Sequence, residues 1–352
     1  MLSPLGLFVL NADAYGLAYG PDEREAIEQL ATLIGPPMTR DDLAARSDLL
    51  ARVEVLFSGW GAPLADDAFL DQAPRLRTVF YAAGATGSWM TEAAWDRGLV
   101  VTTASAANAV PVAEYTLATI LFSLKHGWKL AREARVGRFF PPRDAAPGSY
   151  RSTVGLISLG LIARTLLDLL KPFDLDVVVY DPFLGEAEAN ALGVTRVSLD
   201  ALFRRADVVS VHAPELPETQ GMVTGRHVES MKFGGTFINT ARGPIVREAE
   251  VLEVLARRPD LQAVLDTVTE EPPPAGSPLY TLPNVLLTPH IAGSVGNECR
   301  RMGRYMVDEL ERYVRGEPLR WALTREATRN SAHRPRIDGR RPKRSAQVAA
   351  TA

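Results

Sequence analysis

The sequence predicts an α/β protein built from two doubly wound parallel sheets. Short apolar runs recur along the chain, and each is followed by a segment whose apolar residues fall at helical spacing. The runs are apolar on both faces, as strands covered by helices on either side must be. A length of 352 residues accommodates two domains, and 46% apolar with 23% charged residues excludes a disordered, collagenous or coiled-coil chain.

Taken in order, the first strands are read at Leu7–Leu10, Val53–Phe57, Thr78–Tyr81 and Leu99–Thr102, with helical segments at 22–34, 40–50, 65–72 and 88–97 between them. A longer amphipathic helix is expected from Val112 to Lys129, with Pro111 near its first turn, where a missing N–H costs nothing. The breaker-rich stretch 137–150 then reads as a loop. A second series of strands follows at Val154–Ile157, Val177–Tyr180, Val208–Val211, Thr236–Asn239, Ala263–Leu265 and Val285–Thr288. A closing helix is read over 297–315, ending at Gly316, and its length suits docking back onto the first domain.

The net charge of −3 divides unevenly. Residues 325–352 carry eight Lys/Arg against two Asp/Glu, so the body up to residue 324 carries −9. This basic tail has hardly a large apolar group and is expected to be disordered and solvated. One cysteine, Cys299, excludes a disulfide framework or a multi-cysteine metal site, and no metal is expected. No run approaches the roughly 20 apolar residues of a membrane span. The start Met1-Leu2-Ser3-Pro4 lacks the pattern of a secretory leader, so the expectation is a soluble, cytoplasmic protein with no membrane or nucleic-acid partner.

Several residues point to chemistry. After the strand Thr153–Ile157 comes Ser158-Leu159-Gly160-Leu161-Ile162-Ala163, a reduced form of the glycine turn that cradles pyrophosphate at a helix N-terminus. A purely structural strand–helix turn would read the same. Asp181, 21 residues after Gly160 at the next strand end, suits the ribose hydroxyls of NAD and would repel the extra phosphate of NADP. Arg242 follows one strand, Asp266 with Glu270 and Glu271 the next, and His290 the last, all on the edge where such sheets bind ligands. A guanidinium can clamp a carboxylate, and an imidazole can supply the proton that ketone reduction by hydride requires. A carboxylate on its other nitrogen would favour the imidazolium.

Through Ile238-Asn239-Thr240-Ala241-Arg242-Gly243, Glu271-Pro272 and Pro289-His290-Ile291-Ala292-Gly293, together with Asp207–Pro214 and Tyr180-Asp181-Pro182, the chain resembles the D-isomer-specific 2-hydroxyacid dehydrogenases. Relatives in that family include phosphoglycerate dehydrogenase and glyoxylate/hydroxypyruvate reductase. The resemblance implies a Rossmann NAD-binding domain, residues 108–290, inserted in a flavodoxin-like substrate domain, residues 1–107 and 291–324. It implies Arg242 as carboxylate clamp, His290 as acid/base and Glu271 as its orienting partner. NAD would meet Gly160, Leu161, Ile162, Asp181, Pro214, Thr219, Thr240, Ala241, Asp266, His290 and Gly293, with Asp266 on the nicotinamide carboxamide. Substrate would meet Ala83, Gly84, Ala85, Asn108 and Arg242; Trp60, by its place after a first-domain strand, either faces substrate as well or serves domain packing.

The expected function is NAD-dependent interconversion of a 2-oxo acid and a D-2-hydroxy acid by a homodimer. Two departures stand out: Ser158 and Leu161 replace a glycine and an often basic residue, and Ala82–Gly87 lacks the usual substrate-loop pattern. They keep open a catalytically weak NAD(H)-sensing or corepressor-like protein and, more remotely, a phosphite-type oxyanion dehydrogenase. His126, His227 and His333 are read as structural or solvated.

Overall fold

The computed structural model describes residues 3–144 and 146–329. Its first sheet contains β1 (Leu5–Val9), β2 (Thr32–Leu33), β3 (Val55–Ser58), β4 (Thr78–Tyr81) and β5 (Val100–Thr103). All pair in parallel in the order β2-β1-β3-β4-β5. The second sheet contains β6 (Thr153–Ile157), β7 (Asp176–Tyr180), β8 (Thr195–Arg196), β9 (Val208–Val211), β10 (Thr236–Asn239), β11 (Gln262–Leu265) and β12 (Val285–Leu287). Its order is β12-β11-β10-β9-β6-β7-β8, again all parallel. In each sheet the order reverses beside the first strand, between β1 and β3 and between β6 and β9, which opens a crevice at the strands' C-terminal ends.

Both faces of both sheets are covered, as the two-sided apolar runs require. On the first sheet Phe8, Phe57 and Phe80 form a ring ladder with centroid spacings of 5.1 and 5.5 Å. The closing helix, Cys299–Arg315, lies over that ladder through Met302, Met306, Val307 and Leu310. It comes so close that a Cβ on Gly303 would sit 1.9 Å from the Ala18 carbonyl oxygen. Beyond it, the buried Glu309 carboxylate accepts the N–H groups of Arg320 and Trp321, both at 3.0 Å, and Ala322 bridges antiparallel to Thr102 of β5.

The long helix departs from expectation at both ends. It runs from Ser105 to Ser123 with Pro111 inside, because Ala107, Ala109, Val112 and Ala113 are all buried and packing outweighs the roughly 3 kcal/mol cost of an interior proline. His126, in the left-handed region at φ 49°, then breaks the chain into a second helix, Gly127–Gly137, turned by 57°. No single helix among the described residues is long and apolar enough to cross a membrane. At the other end Arg325–Arg329 form a short helix, where the sequence reading had disorder begin at 325. The Arg325 guanidinium pairs with Glu92 and Asp96, which supplies the partner that composition alone did not disclose. The rest of the basic tail, with His333, lies outside the described residues.

Candidate active site

The glycine turn keeps its shape without its first glycine. Ser158 adopts φ 71°, the left-handed conformation that makes glycine usual there. Its N–H donates to the Tyr180 carbonyl at 2.7 Å. Asp181 braces the same turn, accepting the Leu159 N–H at 2.7 Å and the Phe183 N–H at 2.8 Å, with the Ser158 hydroxyl at 3.4 Å. Gly160 caps the helix Leu161–Leu170, and a Cβ there would meet no atom within 4 Å, so the helix N-terminus opens to a ligand. Leu161 and Ile162 form the helix's first turn, with Leu161 exposed.

Beside Asp181 lies a pocket of about 340 Å³ lined by Tyr180, Pro182, Glu186, Arg196, Val197 and Ser198. After β9, Thr219 stitches a turn: its hydroxyl donates to the Pro214 carbonyl at 2.6 Å and accepts the Leu216 N–H at 2.9 Å. Thr240, at the end of β10, buries a hydroxyl that has no partner among the described residues. An open cradle, an acidic residue beside a pocket and an orphaned hydroxyl along one sheet edge fit a dinucleotide.

The next three strand ends carry Arg242, Glu271 and His290. Asn239 closes β10: its side-chain oxygen accepts the Ala241 N–H at 3.1 Å and its amide donates to the Arg242 carbonyl at 3.0 Å, shaping the turn that presents Arg242. Gly243 follows because a Cβ would fall 2.0 Å from the Val268 carbonyl carbon. His290 Nδ1 meets a Glu271 carboxylate oxygen at 2.8 Å, both side chains being about half exposed, which leaves Nε2 for substrate. Burial works to raise the Glu271 pKa. The hydrogen bond and charge of His290, the Val268 N–H and the Arg242 charge outweigh it and hold the carboxyl below its ordinary value.

Asp266, which the resemblance places on the nicotinamide carboxamide, also braces the chain. It is buried, and both oxygens are taken by the chain: one accepts the Thr288 hydroxyl at 2.7 Å and the Ile291 N–H at 2.8 Å, the other the Ala292 N–H at 2.9 Å. Its carboxylate therefore holds the loop that carries His290, whose own φ is 56°. Tyr115 of the long helix joins the network through Thr288 at 2.9 Å. Neither Tyr115 nor Thr288 was singled out from sequence, since 173 residues separate them.

Across the cleft, Asn108 links the two domains. Its side-chain oxygen accepts the Ser294 N–H at 2.8 Å, and it lies against Gly293 on one side and Gly84 on the other. The loop Ala83-Gly84-Ala85 is pinned by Ala104 N–H on the Ala83 carbonyl, Ser105 on Gly84 and the Tyr81 hydroxyl on Ala85, at 3.0 to 3.1 Å. Trp60 stands after β3 on the same edge, part-exposed.

The other described histidines are structural. His227 Nδ1 accepts the Thr224 N–H at 3.1 Å and Nε2 faces Asp200 at 3.3 Å. His126 lies against Gly234. His212 is buried with neither ring nitrogen partnered, and burial pushes its pKa down to about 4.

Residues 117–292 match the NAD binding domain of the D-isomer specific 2-hydroxyacid dehydrogenases. The chain is 30% identical over 258 residues to D-3-phosphoglycerate dehydrogenase of Archaeoglobus fulgidus, covering 73% of this chain and 49% of that protein. It is 32% identical to the Mycobacterium bovis enzyme of the same name, covering 73% and 48%. The chain thus spans about half the length of the curated relatives it matches. Among solved structures, a Thermus thermophilus protein superposes with a TM-score of 0.71 at 25% identity, covering 91% of this chain and all of that one. D-mandelate dehydrogenase of Rhodotorula graminis shares the fold with a TM-score of 0.76 at 23% identity, covering 92% and 98%. With Arg242, Glu271 and His290 at three successive strand ends beside a dinucleotide cradle, and half its length matching that domain, the chain belongs to the D-isomer specific 2-hydroxyacid dehydrogenase family.

Proposed function

We propose that the protein is an NAD-dependent oxidoreductase that interconverts a 2-oxo acid and a D-2-hydroxy acid, with a cofactor domain of residues 108–290 and a substrate domain of residues 1–107 and 291–324. The observation that carries the reading is the His290–Glu271 pair at 2.8 Å, within the electrostatic reach of Arg242. Gly160, Asp181, Thr240 and the Pro214–Thr219 turn would hold the dinucleotide. When bound, the reduced nicotinamide supplies a hydride.

The Arg242 guanidinium clamps the substrate carboxylate through paired hydrogen bonds and draws charge from the keto oxygen. His290 Nε2 delivers the proton to that oxygen, while Glu271 on Nδ1 orients the ring and balances its positive charge. In the oxidising direction the same nitrogen accepts the proton. Asn108 and the Ala83–Ala85 loop cover the far side and help exclude water. A homodimer is supported by the Gly127–Gly137 helix, which buries none of its own residues, and by the exposed Val136, Phe139, Phe140 and Tyr150 around it.

The test is NADH oxidation with glyoxylate, hydroxypyruvate and bulkier 2-oxo acids. His290→Ala should lower kcat by roughly 10³-fold or more while leaving NADH binding nearly intact. Normal turnover by that variant would overturn the assignment. NADH binding with no turnover on any acid would favour the sensor.

A further inference from the structure

Of the five segments that leave the C-terminal edge of the first sheet, four, residues 10–23, 59–74, 82–96 and 104–124, contain no lysine or arginine but nine carboxylates, and the fifth, 34–54 after the edge strand β2, carries Arg40, Arg46 and Arg52. They border the cleft on the side of the long helix, where Asn108 accepts the Ser294 N–H and Tyr115 meets Thr288 beside the His290 loop. A phosphate in such a pocket would be a dianion without a paired cation, a costly arrangement once water is excluded. Of the cations nearby, Arg40 lies beside Asp41 at 3.8 Å and Arg300 lies over Gly20 and faces Glu23 at 3.7 Å, while the buried Nη1 atoms of Arg300 and Arg301 on the closing helix have no hydrogen-bond partner among the described residues.

This side instead presents apolar surface. Trp60 is 39% exposed, and no ring packs on it among the described residues. Its backbone is held from both sides: its carbonyl accepts the Asn11 N–H at 2.8 Å, and Gly61 sits at φ 92° with a Cβ position 2.1 Å from the Asn11 side-chain oxygen. Only glycine fits there, so the backbone that carries the indole is fixed. Ala82 N–H bonds Ser58 across the neighbouring strand end, and Ala83, Gly84 and Ala85 continue that edge to Asn108 with no bulk. Next to His290, Ile291 and Val295 are also exposed.

We propose that the substrate's substituent beyond the 2-oxo group is uncharged and apolar, aromatic above all, that Trp60 is the surface on which it lies, and that the site discriminates against phosphorylated acids. This rests on the reading under Proposed function and narrows it. Trp60 is here a specificity-determining residue that takes no part in proton or hydride transfer. Covering the indole with an aromatic substituent removes enough apolar area to favour such an acid by about tenfold to a hundredfold.

The experiment compares kcat/KM for phenylpyruvate, hydroxypyruvate and 3-phosphohydroxypyruvate on the full chain and on Trp60→Ala and Trp60→Phe. Phenylpyruvate should exceed 3-phosphohydroxypyruvate by at least about tenfold. Trp60→Ala should cut the phenylpyruvate-to-hydroxypyruvate ratio about tenfold, mainly through KM, and Trp60→Phe should largely restore it. Preference for the phosphorylated acid would overturn the proposal. Arg301, whose buried Nη1 has no hydrogen-bond partner, is the candidate cation in that event, and Arg301→Ala would then abolish the preference. A ratio unmoved by Trp60→Ala would overturn it as well. If no acid is turned over, the functional reading fails by itself, and calorimetry of phenylpyruvate with the NAD-loaded protein decides the pocket. Binding weakened by Trp60→Ala upholds the pocket, and absence of binding overturns it.

Discussion

Replacing Asp266 by asparagine tests whether this carboxylate serves the His290 loop or the cofactor. The wild-type group accepts three hydrogen bonds at 2.7 to 2.9 Å from Thr288, Ile291 and Ala292. An asparagine oxygen can retain Thr288 and Ile291, but its amide then points at the Ala292 N–H, donor against donor. Losing one bond to a charged acceptor and leaving one buried N–H unpaired together amount to about 3 kcal/mol. His290 sits at φ 56°, a conformation that itself costs about 1–2 kcal/mol and persists only while its surroundings hold it. A shift of about 3 kcal/mol away from the competent loop reduces its population by roughly 10²-fold, and kcat should fall by about that factor. Steady-state NADH oxidation gives kcat and KM, and fluorescence titration gives the NADH Kd, which should stay within about threefold of wild type. Thr288→Val, which removes one neutral donor, should cost only about fivefold. An Asp266→Asn enzyme within threefold of wild-type kcat would refute the reasoning. So would a Kd for NADH that rises in step with the lost rate, since that would put the carboxylate on the cofactor.

Gly243→Ala should lower Tm by several degrees and displace Arg242, because its Cβ would overlap the Val268 backbone at 2.0 Å; thermal unfolding and kcat/KM check both. His212 has a folded pKa depressed by burial to about 4, so the unfolded chain binds its proton first and stability is lost as pH falls from about 6.5 toward 4. The expected loss is about 2 kcal/mol between pH 7 and pH 5, and His212→Leu should remove that part of the slope in urea unfolding, although His126 and His227, also depressed, leave slope of the same sign. A chain ending at residue 319 strips the buried Glu309 of the Arg320 and Trp321 N–H groups and should lose about 3 kcal/mol or more, whereas one ending at 329 should melt like the full chain. Equal melting of the two shortened chains would show that the Glu309 latch contributes nothing.

The alternation of two-sided apolar runs with amphipathic segments, and the residues Arg242, Glu271 and His290 after successive runs, were legible in the chain because hydrophobic period and strand-end placement are local properties. The edge strands Thr32–Leu33 and Thr195–Arg196 were not, since two residues carry no period and exist only by pairing with β1 and β7. The helix around Pro111 was misplaced because burial of four neighbours overrides a local breaker. Ser158, a departure by residue type, takes the glycine's own backbone conformation, a cost accepted because Asp181, 23 residues on, braces the turn.

Composition, spacing and motif therefore determined the two-sheet class and the family, and placed Arg242, Glu271 and His290 after successive strands. The tertiary structure alone decided that Asp266 accepts three hydrogen bonds from the His290 loop, that Tyr115 and Asn108 tie the long helix to that loop, and that the Trp60 ring stays part-exposed. Each of these depends on which donor meets which acceptor across tens to nearly two hundred residues, and local pattern does not encode that geometry until the sheets are packed.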